Sequence, residues 1–214
     1  MIGVYDYTVL ATYLSLAFGV SGILAAMNGS PYSALLCLMV SGLLDAFDGR
    51  IARTKKNRTE QEKRFGIQID SLNDVVCFGV LPGVIGASLG GGEWWLRASV
   101  LFYILAALIR LAYFNVTEEE RQKNTDERRT SYIGLPVTSA SLIFPLVYAL
   151  TYTLARVLPD HVILYFYALV MLVVAVCFVA PFSVRKPHGK ALIFLSFVGV
   201  AEIAYLICVI RFLR

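Results

Sequence analysis

Charge is scarce in this chain. Only 16% of its 214 residues are Asp, Glu, Lys or Arg, 58% are hydrophobic, and the mean hydropathy is +0.69. That mixture excludes an ordinary soluble globule and points to a polytopic membrane protein. Histidine is nearly missing: His161 and His188 are the two present, and both fall in predicted loops, away from any metal-ligand pattern. The four cysteines, Cys37, Cys77, Cys177 and Cys208, lie in apolar runs without paired metal spacing, so they read as small buried hydrophobes. No linker, low-complexity tract or internal repeat divides the chain, which predicts a single integral membrane domain over residues 1–214. The opening MIGVYDY lacks the basic stretch of a cleavable signal, so the first apolar run is expected to stay as a span. The net charge of +4 is uninformative until it is placed along the chain, and no nucleic acid polymer is expected as a partner.

What is present is a series of apolar runs of spanning length, about twenty residues each. They cover roughly residues 8–28, 31–53, 69–89, 94–116, 134–155, 161–181 and 190–212. Backbone polar groups find no water in hydrocarbon, so these runs must be helical. The predicted fold class is therefore all-α: a polytopic membrane helical bundle of about seven transmembrane helices, or six to eight if a run is split or lies in the interface. Asn28-Gly29-Ser30-Pro31 is a turn signal between the first two runs, and Trp94 and Trp95 are interface anchors. Most of the 19 Lys and Arg fall in alternate loops, at 49–69, 110–133 and 184–190. By the positive-inside tendency these loops face the cytoplasm, and so does the N-terminus of this integral protein of the cell membrane. Arg211 and Arg214 run weakly against that count.

The scarce acids are not scattered. Asp45 and Asp48 end the second run, and Asp70 and Asp74 open the third. Spacings of three and four put each pair on one helical face. The second run leaves toward the cytoplasm and the third returns from it, so both pairs lie at one depth and can converge. Four anions in a low-dielectric site require protons or cations. Oxygen ligands without His or Cys favour a hard ion: magnesium, manganese or calcium. Four carboxylates balance two divalent cations, which can clamp the attacking and leaving oxygens of a phosphoryl transfer. Gly49 and Gly66 allow close approach of backbone or ligand, and the planar fork of Arg53 suits a phosphate.

Asp45-x2-Asp48-Gly49-x2-Ala52-Arg53, followed by Gly66-x3-Asp70-x3-Asp74, resembles the signature of the CDP-alcohol phosphatidyltransferase family, carried by residues 31–90. The resemblance implies displacement of CMP from a CDP-linked lipid by a small alcohol. It implies Asp45, Asp48 and Asp70 as metal ligands, with Asp74 completing the site and acting as catalytic base. It implies Gly49, Ala52 and Gly66 along the cytidine pocket, Arg53 on the diphosphate, and a homodimer. The spacer between Arg53 and Gly66 is longer than the commonest family pattern, which a surface loop tolerates. Asp70-Ser-Leu-Asn-Asp74-Val-Val-Cys-Phe-Gly-Val-Leu-Pro, Ile109-Arg110-Leu-Ala-Tyr-Phe-Asn115-Val and Tyr132-Ile-Gly-Leu-Pro136-Val-Thr138 resemble the serine-specific branch. That branch implies transfer of the phosphatidyl group from CDP-diacylglycerol to the hydroxyl of L-serine.

Other readings stay open. The acceptor could be glycerol phosphate or inositol phosphate, and the donor an archaeal ether lipid. Outside the family, an ion-coupled transporter also places acids within a membrane, but near the midplane and in both halves. The basic 49–69 loop serves topology, or recruits anionic lipid, or both. Arg110 either snorkels or binds the carboxylate of serine or a lipid phosphate; Asn115 either caps a helix or orients substrate. Thr130, Ser131 and Tyr132 are weaker candidates. Glu202, deep in the last run, has no assigned role.

Overall fold

Helices in a bilayer gain little by burying leucine, because lipid tails are equally apolar, so close contact falls to small side chains. The first helix follows that rule. The computed structural model describes residues 3–212 apart from 53, 56, 91, 125–130, 155–158 and 186–189, with only the backbone at several helical positions near those gaps and over 190–196 and 209–212. In it α1 (Leu10–Met27) buries Ala11, Ser15, Gly19, Gly22 and Ala26 along one stripe. After a turn in which Gly29 takes φ +71°, α2 (Pro31–Ala52) returns antiparallel to α1. The two are clasped reciprocally: Ser15 Oγ donates to the Ser41 carbonyl at 3.3 Å and Ser41 Oγ to the Ser15 carbonyl at 3.0 Å. A Cβ on Gly19 would stand 2.4 Å from Cys77 Sγ, so only glycine lets the third helix approach so closely.

That third helix, α3 (Glu60–Leu89), is 30 residues long and starts well before the apolar run expected from residue 69. Its early start has a local cause. Thr59 accepts the Glu62 amide on its hydroxyl at 3.2 Å, and Glu62 Oε2 accepts the Thr59 amide at 2.8 Å, a complete capping box. The polar half of the expected loop is thereby helical. Farther on, residues Val75–Val80 form a π turn, closed by the Leu81 amide on the Val76 carbonyl. Pro82 has no N–H to return to the Phe78 carbonyl four residues back. The Tyr103 hydroxyl takes that place, donating to Phe78 O at 2.7 Å from a fully buried position.

The remaining helices are α4 (Trp94–Asn124), α5 (Ala140–Leu154), α6 (Asp160–Val179) and α7 (Lys190–Phe212), which makes seven helices among the described residues. Five of them, α1, α2, α3, α4 and α6, are long and apolar enough to cross a membrane; α5 and α7 carry shorter apolar stretches. The protein is an all-α membrane helical bundle, as composition and run length predict. Tyr103 joins its helices by meeting Phe144 edge-on at 5.3 Å and Phe178 at 5.5 Å, and Trp95 stacks on Tyr165 at 4.6 Å. Leu101, Phe102, Leu105, Leu108 and Ile109 of α4 stay exposed, as a lipid-facing surface would be.

One element was not expected. Strand β1 (Ser131–Ile133) pairs antiparallel with β2 (Ser183–Arg185), and the chain after β1 docks on the end of α6. Gly134 N donates to Phe182 O at 2.7 Å and Leu135 N to Cys177 O at 2.9 Å. Gly134 takes φ +72°, and a Cβ there would lie 2.6 Å from the Phe178 carbonyl. With residues 131–136 committed to this brace, α5 begins at Ala140 rather than near 134.

The π turn generates a prediction. Tyr103→Phe removes the donor and leaves the Phe78 carbonyl buried without it, at a cost of about 1–3 kcal/mol. A lowered thermal midpoint in detergent is expected; an unchanged midpoint would show that the carbonyl finds another donor.

Candidate active site

Asp45 and Asp48 stand at the end of α2, and Asp70 and Asp74 lie about three to four turns inside α3. The capping box at Thr59 fixes that depth, because the helix winds from there without a break to the acids. One carboxylate oxygen from each of Asp45, Asp70 and Asp74 lies within 4.8 Å of the others. Asp45 touches Asp74, and Asp48 touches Asp70, side chain to side chain. Asp48 and Asp74 are buried, and Asp45 and Asp70 half-buried. Asp48 also accepts Thr12 Oγ1 at 3.4 Å. The Oδ1 atoms of Asp70 and Asp74 are buried without a hydrogen-bond partner among the described residues. Among the described residues no Lys or Arg forms an ion pair with Asp45, Asp70 or Asp74.

This set fits a divalent cation. Its donors are all carboxylate oxygens, the ligands of hard ions, and oxygens on opposite sides of such an ion stand about 4–5 Å apart. The two orphaned oxygens supply free lone pairs where an ion would need them. Like charges in contact repel unless protons or a cation offset them.

Beside the acids opens a cleft of about 280 Å³ lined by Thr8, Val9, Thr12, Asp48, Gly49, Ala52, Arg58, Lys63, Gly66, Ile67 and Asp70. The structure therefore brings Gly49, Ala52 and Gly66 to one cavity with Asp48 and Asp70. Arg53 lies outside the described residues, and so does Thr130. The Arg58 guanidinium lies across Gly66, where a Cβ would stand 2.7 Å from Nη2.

Two supporting features were not anticipated from sequence. Beneath the acids, Asn73 Nδ2 donates to Ser15 Oγ at 3.2 Å and Cys77 Sγ to Asn73 Oδ1 at 3.3 Å, which extends the Ser15–Ser41 clasp into α3. The available signal was the placement of Ser15 and Ser41 within apolar runs. Above the cleft, Lys55 Nζ bridges Asp6 at 2.7 Å and Glu62 at 2.8 Å, and Thr8 donates from its amide to Asp6 at 2.9 Å. This pins the segment before α1 as a cleft wall. The hydrogen bond from Lys55, then that from Thr8, holds the Asp6 carboxyl down at about 2, and Asp6 and Glu62 push the Lys55 ammonium up.

The candidates from outside the aspartate stretch divide. Asn115 Oδ1 accepts Ser71 Oγ at 2.7 Å, which ties α4 to α3 next to Asp70. Arg110 is buried; its Nε donates to the Leu135 carbonyl at 2.8 Å and its guanidinium lies 5.6 Å over the Phe114 ring. It holds the brace formed by residues 131–136. Tyr132 sits in β1 with its ring 6.2 Å from Phe114. Glu202 is buried on α7, and neither of its carboxylate oxygens is hydrogen-bonded among the described residues.

A depressed carboxyl contributes stability that is complete above its unfolded value, 3.8 for Asp6, and is lost only as pH falls through about 2. Hydrogen exchange over residues 4–9, corrected for the intrinsic rate, should thus be equal at pH 5 and pH 7 and faster in Lys55→Gln. Faster corrected exchange at pH 5 in the unaltered protein would contradict the bridge.

A family model described as CDP-alcohol phosphatidyltransferase matches residues 8–180. The chain is similar to a protein of Helicobacter pylori named CDP-diacylglycerol–serine O-phosphatidyltransferase, 35% identical over 142 residues, which are 65% of this chain and 55% of that one. It is similar to the Saccharomyces cerevisiae protein of the same name, 30% identical over 151 residues, 65% of this chain and 53% of that one. Archaetidylserine synthase of Methanothermobacter thermautotrophicus is 29% identical over 134 residues, 62% of this chain and 53% of that one. The chain thus spans little more than half the length of these relatives.

Proposed function

Because the chain belongs to the CDP-alcohol phosphatidyltransferase family, we propose that it transfers the phosphatidyl group of CDP-diacylglycerol to the hydroxyl of L-serine, with release of CMP. The observation that carries this reading is the convergence of Asp45, Asp70 and Asp74, with Asp48 lining a cleft alongside Gly49, Ala52 and Gly66. The serine acceptor is supported by the names of the relatives.

In this reading Asp45, Asp48, Asp70 and Asp74 hold two divalent cations, magnesium or manganese. When bound, such cations neutralise charge on the diphosphate and on the departing CMP. Gly49, Ala52 and Gly66 receive the nucleotide, and Arg53 faces the diphosphate. Asp74 accepts the proton of the serine hydroxyl as that oxygen attacks the phosphorus bearing the diacylglycerol, and the bond from that phosphorus to the CMP oxygen breaks. The buried polar floor of Ser15, Ser41 and Asn73 keeps the Asp74 turn in place, which favours positioning over mobility. Asn115 orients the acceptor from its place beside Asp70, with Arg110 farther back. The site faces the cytoplasm, together with the N-terminus, because the basic loop residues lie on that side. The whole chain acts as one membrane domain, as a homodimer.

The archaeal relative supports a second reading of the donor, an ether-linked CDP-lipid in the same site. Product identification by mass separates the possibilities: purified protein receives CDP-diacylglycerol or its ether analogue with serine, glycerol phosphate or inositol phosphate in turn. Phosphatidylserine and CMP are expected with serine, and no product once the divalent ions are chelated. Asp74→Asn should lower turnover by about 10²- to 10⁴-fold while nucleotide binding remains. Near-normal turnover in that variant would sink the base assignment, and product with glycerol phosphate alone would sink the serine reading.

A further inference from the structure

Resting on the reading of the cleft as the site of a CDP-headed lipid, we propose that Arg58 binds the nucleotide-side phosphate, the one that CMP and the CDP-lipid share. Arg58 belongs to the spacer between Arg53 and Gly66 and immediately precedes Thr59, the cap of α3. The capping box therefore decides where its side chain starts. Three observations converge on it. It lines the cleft with Asp48, Gly49 and Asp70. Its guanidinium is anchored at one corner, Nη2 donating to the Glu62 carbonyl at 3.2 Å, so the fork is held in place. Its Nε is buried and has no hydrogen-bond partner among the described residues.

A buried cationic donor without an acceptor is costly, and it persists where a ligand supplies the acceptor. The guanidinium offers a rigid fork matched to two oxygens of a phosphate. The neighbouring carboxylates are directed to cations, so the anion that completes the Arg58 fork comes from outside the protein. Gly66 acquires a second role. With a Cβ at 66 only 2.7 Å from Nη2, the guanidinium could not lie across the helix, so glycine here seats the arginine as well as opening the cleft. Lys63 is a poorer candidate, because its ammonium is held by Glu60 at 2.6 Å and is half exposed.

The test uses the full chain in lipid nanodiscs with manganese, and competition binding of CMP against cytidine, which differ by the phosphate alone. Arg58→Gln is expected to weaken CMP about tenfold or more and to leave cytidine unchanged, so that discrimination between the two collapses. The KM for CDP-diacylglycerol should rise in parallel, with the KM for serine unchanged. Gly66→Ala should shift CMP in the same direction by displacing the guanidinium. Arg64→Gln, which removes an equal charge outside the cleft, should leave CMP binding as it was. Unchanged CMP affinity in Arg58→Gln overturns the proposal, as does an equal loss of CMP and cytidine, which would mark a base contact or a disturbed fold. If the unaltered protein neither binds CMP nor consumes the CDP-lipid, the functional reading itself fails, an outcome distinct from either of these.

Discussion

Four carboxylates from two helices repel one another, and the bundle is arranged to hold them together. At an effective dielectric of about 20, two full charges 4 Å apart cost about 4 kcal/mol. Without protons or cations to offset that charge, α2 and α3 would be driven apart at the end where Asp45, Asp70 and Asp74 meet beside Asp48. The ties that oppose this are concentrated there. The reciprocal Ser15–Ser41 hydrogen bonds join α1 to α2, and Asn73 links that clasp to α3. The small-residue stripe of α1 lets the three helices approach closely enough for those short side chains to reach.

The second constraint is the π turn directly after Asp74. One extra residue per turn rephases the helix, so the face that carries Asp70 and Asp74 and the face that meets the core with Leu81 and Ile85 are set separately. Pro82 leaves the Phe78 carbonyl without its helical donor, and Tyr103 donates from α4. The same residue carries edge contacts to Phe144 and Phe178, so the geometry just past the acids is tied into the aromatic core.

Much of this is legible in the sequence, for a definite reason. Asp45, Asp48, Asp70 and Asp74 stand out because charge is rare in apolar runs, and spacings of three and four translate directly into a helical face. Helix positions follow from run length for the same reason. What hydropathy cannot see are hydrogen bonds that extend a helix through polar sequence or break its period. The Thr59–Glu62 box starts α3 nine residues before its apolar run, and the π turn leaves no periodic trace. Arg110 is a third case. Its Nε meets the Leu135 carbonyl, because residues 131–136 form a brace whose partners lie in the distant 177–185 segment. Pairing over that separation has no local signature.

The size of the cleft has a consequence of its own. At about 280 Å³ it lies just below the usual range of ligand pockets, roughly 300–1,000 Å³, and its walls mix polar residues and glycines with the apolar Val9, Ala52 and Ile67. It has room for a headgroup but not for two acyl chains. On the proposed reaction the lipid is never extracted: its tails remain among other tails while its phosphates enter the protein. Encounter then takes place in two dimensions, and the relevant concentration is the mole fraction of the nucleotide lipid in the membrane, not its amount per volume. Diluting the lipid with inert neighbours at constant total substrate would slow such a catalyst, whereas diluting the whole suspension would not.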